Sequence, residues 1–151
     1  MTSLVKSLEI VLADTYALYL KTQNYHWNVE GCCFKELHEM FEGQYNDLFK
    51  AIDECAELVR GLGHKVVGTF QEFSKKTSIK PGNEKASSAD MLKDLFNDQS
   101  VIEKSLKAAL KEAQKVEDEV VAGFLVDRLT VHRKNAWFLK SSRCCDKKEK
   151  C

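Results

Sequence analysis

The chain has 151 residues and no formal net charge at pH 7, with 23 basic side chains against 23 acidic ones. That length supports one domain with a core of its own, and the balanced charge excludes long-range attraction of the whole molecule to nucleic acid or to an acidic membrane, so any DNA binding must come from a local patch. A single proline, seven glycines and 30% charged residues exclude a strand-rich sandwich and favour long helices. No apolar run approaches about 18 residues, and the first residues lack a basic segment leading into an apolar stretch, so the expectation is a cytoplasmic protein without a membrane span.

From Leu4 to about Val29, the residues Leu4, Leu8, Val11 and Leu18 recur at helical intervals while Lys6, Glu9 and Asp14 lie off that stripe, which predicts a first helix. After Gly31 the series Phe34, Leu37, Phe41, Tyr45, Leu48, Ile52, Cys55, Val59 and Leu62 steps by three or four and stops at Gly61 and Gly63, marking a second. Residues 64 to 86 lose this period and carry Pro81-Gly82, yet Thr69-Phe70-Gln71-Glu72 is a capping box able to start a short helix inside a long crossover. Ser87-Ser88-Ala89-Asp90 opens a third long helix through Met91, Leu95, Ile102, Leu106 and Leu110 to about Ala113. A fourth runs from near Val116 to about Leu139 through Val121, Leu125, Leu129 and Ala136. Two short connections and one long central one describe an all-α, ferritin-like four-helix bundle over residues 1–140, followed by a polar Cys/Lys-rich tail over 141–151.

The cysteines fall as Cys32-Cys33, a lone Cys55, and Cys144, Cys145 and Cys151 in the tail. In a reducing compartment they read as free thiols; a zinc site in the tail is the sharper alternative, but adjacent cysteines chelate poorly and no Cys-x-x-Cys occurs.

His26, His38, Glu42, Asp53 and Glu57 are metal-ligand types on or beside a strongly amphipathic helix. His38/Glu42 and Asp53/Glu57 are each four apart, so each pair projects from one helical face. The fifteen-residue step between the pairs turns only about 60° at 100° per residue, but separates them by roughly 22 Å, too far for one coordination sphere. Two copies packed antiparallel about a two-fold axis bring the first pair of one against the second pair of the other, giving two equivalent sites. Spacing allows such a centre; it equally allows charged decoration of a solvated face.

The run Tyr25-His26-Trp27-Asn28-Val29-Glu30-Gly31, then Phe34, Leu37-His38-Glu39, Phe41-Glu42, Tyr45, Asp53-Glu54-Cys55-Ala56-Glu57, Arg60-Gly61-Leu62-Gly63 and Gly68-Thr69, resembles the signature of the Dps family of miniferritins. His132-Arg133-Lys134-Asn135-Ala136-Trp137-Phe138-Leu139 resembles that family's closing segment, so the likeness spans nearly the whole chain. The resemblance implies a dodecameric cage storing ferric mineral and protecting the cell from oxidative stress. Its ferroxidase centres would take His26, His38 and Glu42 from one subunit and Asp53 and Glu57 from its partner, with Glu57 the principal anchoring carboxylate. Iron is the metal implied, and hydrogen peroxide the favoured oxidant over oxygen. Hard carboxylates and borderline imidazoles suit Fe(II). Trp27, beside a ligand, is a candidate electron donor, with simple packing as the plain alternative. Glu117, Asp118 and Glu119 stand where the family lines a three-fold pore, although Val121, Ala122 and Gly123 follow where related chains carry more polar residues, and acidic side chains at a helix start are favourable in their own right.

The chain departs from DNA-binding members at its start, where only Met1-Thr2-Ser3 precede the first helix. Arg143, Lys147, Lys148 and Lys150 against Asp146 and Glu149 leave a modest basic surplus that twelve copies would multiply, which keeps a DNA-compacting role as the rival reading. A bundle enzyme that builds its di-iron site within one chain needs Glu-x-x-His motifs, and none occurs. A non-catalytic helical adaptor would make the ligand-type residues coincidence. His64 and His132 are expected at the surface, outside the site.

Overall fold

In a computed structural model, which describes residues 2–142, the chain forms α1 (Ser3–Asn28), α2 (Phe34–Gly61), the short α3 (Phe70–Lys76), α4 (Ser88–Lys115) and α5 (Glu119–Ser141). The helix starts follow local hydrogen bonding. Thr2, Thr69, Ser87 and Asp118 each accept a backbone N–H three residues on, satisfying a donor that the first helical turn leaves unpaired. α2 ends where Gly63, at φ 85°, lets its own N–H reach the Arg60 carbonyl while His64 N–H reaches Val59, a Schellman closure that a residue with a Cβ resists.

α1 packs on α2 to one side, on α4 to another, and carries α3 on a third, while α4 pairs with α5. The shared interior holds Leu8, Leu12, Leu18, Phe41, Leu48, Met91, Leu95, Ile102 and Leu125. This is the expected crossover bundle. Among the described residues no helix is long and apolar enough to cross a membrane. The tail from residue 143 onward, with its basic surplus and Cys144, Cys145 and Cys151, lies outside the described residues.

Four expectations need correction. α4 continues to Lys115 and α5 begins only at Glu119, because Val116 caps α4 and Glu117 turns the chain at φ 56° before Asp118 caps the next helix. Glu9 and Asp14 are buried, since α1 is enclosed by α3 and α4 as well as by α2. Glu9 pairs with Lys76, while Asp14 accepts from Thr77 Oγ1, Ser78 N–H and Ser105 Oγ. Cys32 and Cys33, in the surface turn before α2, are disulfide-bonded rather than free. Only Cys55, wholly enclosed, keeps a free thiol among the described residues, and burial pushes it up to about 12.

The fourth correction is His132, which is buried between α4 and α5 rather than exposed. Gln99 Nε2 donates to the Leu95 carbonyl, so its Oε1 is left to accept from His132 Nδ1–H at 2.8 Å. Burial, with Arg128 adding to it, lowers the imidazole to about 3, so it stays neutral in the fold. An unfolded chain binds a proton here below about 6.5 while the folded one does not, so this residue's support is present above that pH and is lost as pH falls toward 3. His132→Gln is therefore expected to flatten the loss of thermal stability between pH 6.5 and 4, read by circular dichroism melts; an unchanged pH slope would contradict the buried neutral assignment.

Candidate metal centre at the α1–α2 turn

α1 ends two residues after His26, and the five-residue turn 29–33 reverses the chain so that His38 faces it from the second turn of α2. Gly31, at φ 112°, supplies the left-handed step of that reversal. The two imidazoles stack, with centroids 3.7 Å apart and planes 18° from parallel. Each latches the other's helix: His26 Nδ1 lies 2.7 Å from the His38 carbonyl, and His38 Nδ1 lies 2.8 Å from the His26 carbonyl.

A carbonyl oxygen only accepts, so both Nδ1 atoms carry the proton, and in the neutral rings both Nε2 atoms keep a lone pair. This is how a protein orients histidine ligands: the far nitrogen is held by the backbone and the near one is left for a metal. The pair is walled by rings, with Phe34 centred 5.1 Å from His38 and Tyr45 meeting His26 edge-on at 5.1 Å. Desolvation, reinforced by Glu42 and Tyr19, raises the Tyr45 phenol, which stays protonated.

The remaining candidates are placed less closely. Glu42, one turn beyond His38, is exposed, as are Asp53 and Glu57 near the far end of α2. Among the described residues no three His, Cys, Asp or Glu side chains of a single chain converge to hold a metal. Glu57 instead shares a surface cleft of about 390 Å³ with Glu54 and Asp118. Asp118 is the cap of α5, so the helix-start reading accounts for it, while Glu117 and Glu119 are exposed beside it. Trp27 is 61% exposed and turns toward a cavity of about 460 Å³ shared with Phe70 and Phe73; among the described residues it makes no ring contact with either imidazole. Tyr45, to which sequence reasoning assigned no role, is the ring in contact with His26. Its position three residues after Glu42 on α2 was the available signal.

The family model for the ferritin-like domain matches residues 5–142. General stress protein 20U of Bacillus subtilis is 32% identical, over 91% of this chain and 95% of its own length. The DNA protection during starvation protein of Helicobacter pylori is 31% identical, over 91% and 98%. Among solved structures, Dps from Staphylococcus aureus aligns with a TM-score of 0.89 at 31% identity, covering 93% of this chain and 94% of that one. Dps from Vibrio cholerae, described as a member of a broad superfamily of ferritin-like diiron-carboxylate proteins, aligns with a TM-score of 0.87 at 29% identity, over 91% and 87%. Likeness of this extent, in sequence and in fold together, places the chain in the ferritin-like family and, within it, in the Dps group.

Proposed function

We propose that the protein is a ferroxidase that oxidises Fe(II), with hydrogen peroxide as the preferred oxidant, at sites shared between two subunits of a dodecamer, and stores the ferric product in the enclosed cavity. The observation that carries this reading is the reciprocal latch of His26 and His38, which leaves two imidazole lone pairs for a cation, while no third ligand group joins them among the described residues. Asp53 and Glu57, exposed about 22 Å along α2, complete the set when a second copy packs antiparallel, together with Glu42 beside His38.

The chemistry of the set suits the substrate. Imidazole nitrogen and carboxylate oxygen suit Fe(II), and few protein ligands leave positions for oxidant. Peroxide accepts two electrons, so two Fe(II) ions consume it without releasing a radical. The acidic cleft of Glu54, Glu57 and Asp118 lies on the approach to Glu57 and favours entry of a divalent cation.

The test is stopped-flow absorbance of Fe(II) oxidation by the size-fractionated assembly, with peroxide and oxygen compared at equal electron equivalents. Oxidation well above the buffer rate, faster with peroxide, is expected from the large species. A rate equal to buffer would overturn the ferroxidase reading, leaving His26 and His38 as a structural latch and the three carboxylates as surface charge.

A further inference from the structure

The turn that sets His26 over His38 carries two adjacent disulfide-bonded cysteines, Cys32 exposed and Cys33 half-buried against the core. Consecutive Cα atoms stand about 3.8 Å apart, short of the roughly 4.4–6.8 Å that a disulfide bridges, so these two are badly placed to bond to each other. Cys55 keeps a free, wholly enclosed thiol, and the sequence's other cysteines are Cys144, Cys145 and Cys151. The end of α5 already lies beside the start of α2, where Ser142 Oγ donates to Met40 Sδ at 3.8 Å. Met40 stands seven residues after Cys33, roughly 10 Å along the helix axis. An extended chain advances about 3.5 Å per residue and a disulfide spans about 5.5 Å between Cα atoms, so Cys144 and Cys145 both have the reach to return to Cys33 and Cys32. Charge favours the same path. Glu30, Glu36 and Glu39 are exposed around the turn against Lys35, whereas the tail brings Arg143, Lys147, Lys148 and Lys150 against Asp146 and Glu149.

We propose that Cys32 and Cys33 are joined to Cys144 and Cys145 of the same chain, a double staple that hydrogen peroxide closes and a dithiol opens, fastening the basic tail over the turn that holds the two imidazoles. Its chemistry needs no iron. For each bond, a thiolate attacks one peroxide oxygen, the O–O bond breaks, and the departing hydroxide takes a proton to leave as water. The facing thiol then displaces the sulfenic oxygen as a second water, so four thiols and two peroxides give two disulfides and four waters. A dithiol reverses each step by exchange and ends as its own disulfide. Closed, the staple ties the α1–α2 turn to the end of α5 and holds the tail's basic side chains against the acidic rim of the turn. Open, it releases both.

The experiment maps the iron-free, full-length protein after reduction with dithiothreitol, desalting and treatment with hydrogen peroxide. Following alkylation, trypsin cuts after Lys21, Lys35, Arg143 and Lys147, so a closed staple leaves peptide 22–35 joined to peptide 144–147 until a reductant separates them. In denaturing, non-reducing electrophoresis the chain should still run as a monomer. The peroxide-treated protein should melt at least about 5 °C above the reduced form, because cross-linking so long a loop restricts the unfolded chain. Cys144→Ser with Cys145→Ser should abolish that difference. Peptide 22–35 closed on itself, linked to Cys151, or linked to another chain as a disulfide dimer would each overturn the staple. So would thiols still open to alkylation after peroxide, or equal melting of the oxidised and reduced forms.

Discussion

Glu57→Ala is expected to slow iron oxidation by the assembly at least 10-fold to 100-fold, the scale seen when even an outer partner of a metal ligand is lost, and to leave helix content and particle size unchanged. The side chain is exposed in the single chain and packs in no core, so its removal opens no cavity. His26→Ala combined with His38→Ala should slow oxidation equally, with some loss of stability because the reciprocal latch between α1 and α2 goes too. The decisive result comes from mixing. When the two variants are unfolded and reassembled together at equal amounts, random pairing makes half the dimers mixed, and in each mixed dimer one of two sites keeps every ligand. About a quarter of the wild-type sites should then return. A site built within one chain recovers nothing on mixing, so a co-assembled sample as inactive as its parents would refute the shared centre.

Lys21→Ala should produce a large loss of stability. Lys21 Nζ lies 2.7 Å from Asp98 and 2.9 Å from Asp94, with its side chain 2% exposed. Asp94 also accepts from the Tyr25 hydroxyl, which in turn accepts the Asn83 N–H of the crossover. Gly82 lets that crossover settle here, since a Cβ would stand 3.1 Å from Lys21 Cγ and from Tyr25 Cε1. Removing the ammonium strands the buried Asp98 carboxylate, while the half-buried Asp94 keeps the Tyr25 hydroxyl, and breaking a buried pair from one side costs about 3–5 kcal/mol, roughly 10 °C in melting temperature for a chain of this size.

The pH dependence gives the sign. Burial already raises Asp98 to about 6 in spite of Lys21, whose hydrogen bond and charge lower it. A carboxyl raised in the fold above its ordinary 3.8 contributes stability at acid pH that is lost as pH climbs through about 6. Without Lys21 that carboxyl rises further, so the variant's deficit should be larger at pH 8 than at pH 5. Lys21→Met with Asp98→Leu should regain most of the loss, because an apolar replacement of a buried pair leaves no stranded charge. A melting shift under about 2 °C for Lys21→Ala, or a deficit that grows toward acid pH, would show that the network contributes little.

Much of this molecule is legible along the chain. α2 was readable to within a few residues, because Phe34 to Leu62 keep one apolar face at helical spacing and glycines close the end. The caps at Thr69 and Ser87 were equally plain, since a side-chain oxygen and an N–H three residues on need no other part of the protein. α1 was harder. Three neighbours enclose it, so Glu9, Asp14 and Lys21 are buried among partners from α3, the crossover and α4, and no one-sided stripe marks them. The α4–α5 boundary is hidden in the sequence because Glu117 takes a left-handed φ without glycine to announce it.

The spacing of His38, Glu42, Asp53 and Glu57 was determined by the sequence alone, because four-residue steps along a helix set which side chains share a face. That spacing left metal centre and solvated face equally open, and the resemblance alone tipped the balance. Tertiary structure decided the rest: the turn at Gly31 stacks His26 on His38, assigns their protons and brings Tyr45 against them, and the bundle buries His132 between α4 and α5. Local periodicity specifies which face a residue occupies, but what lies against that face depends on helices tens of residues away, and only their packing sets it.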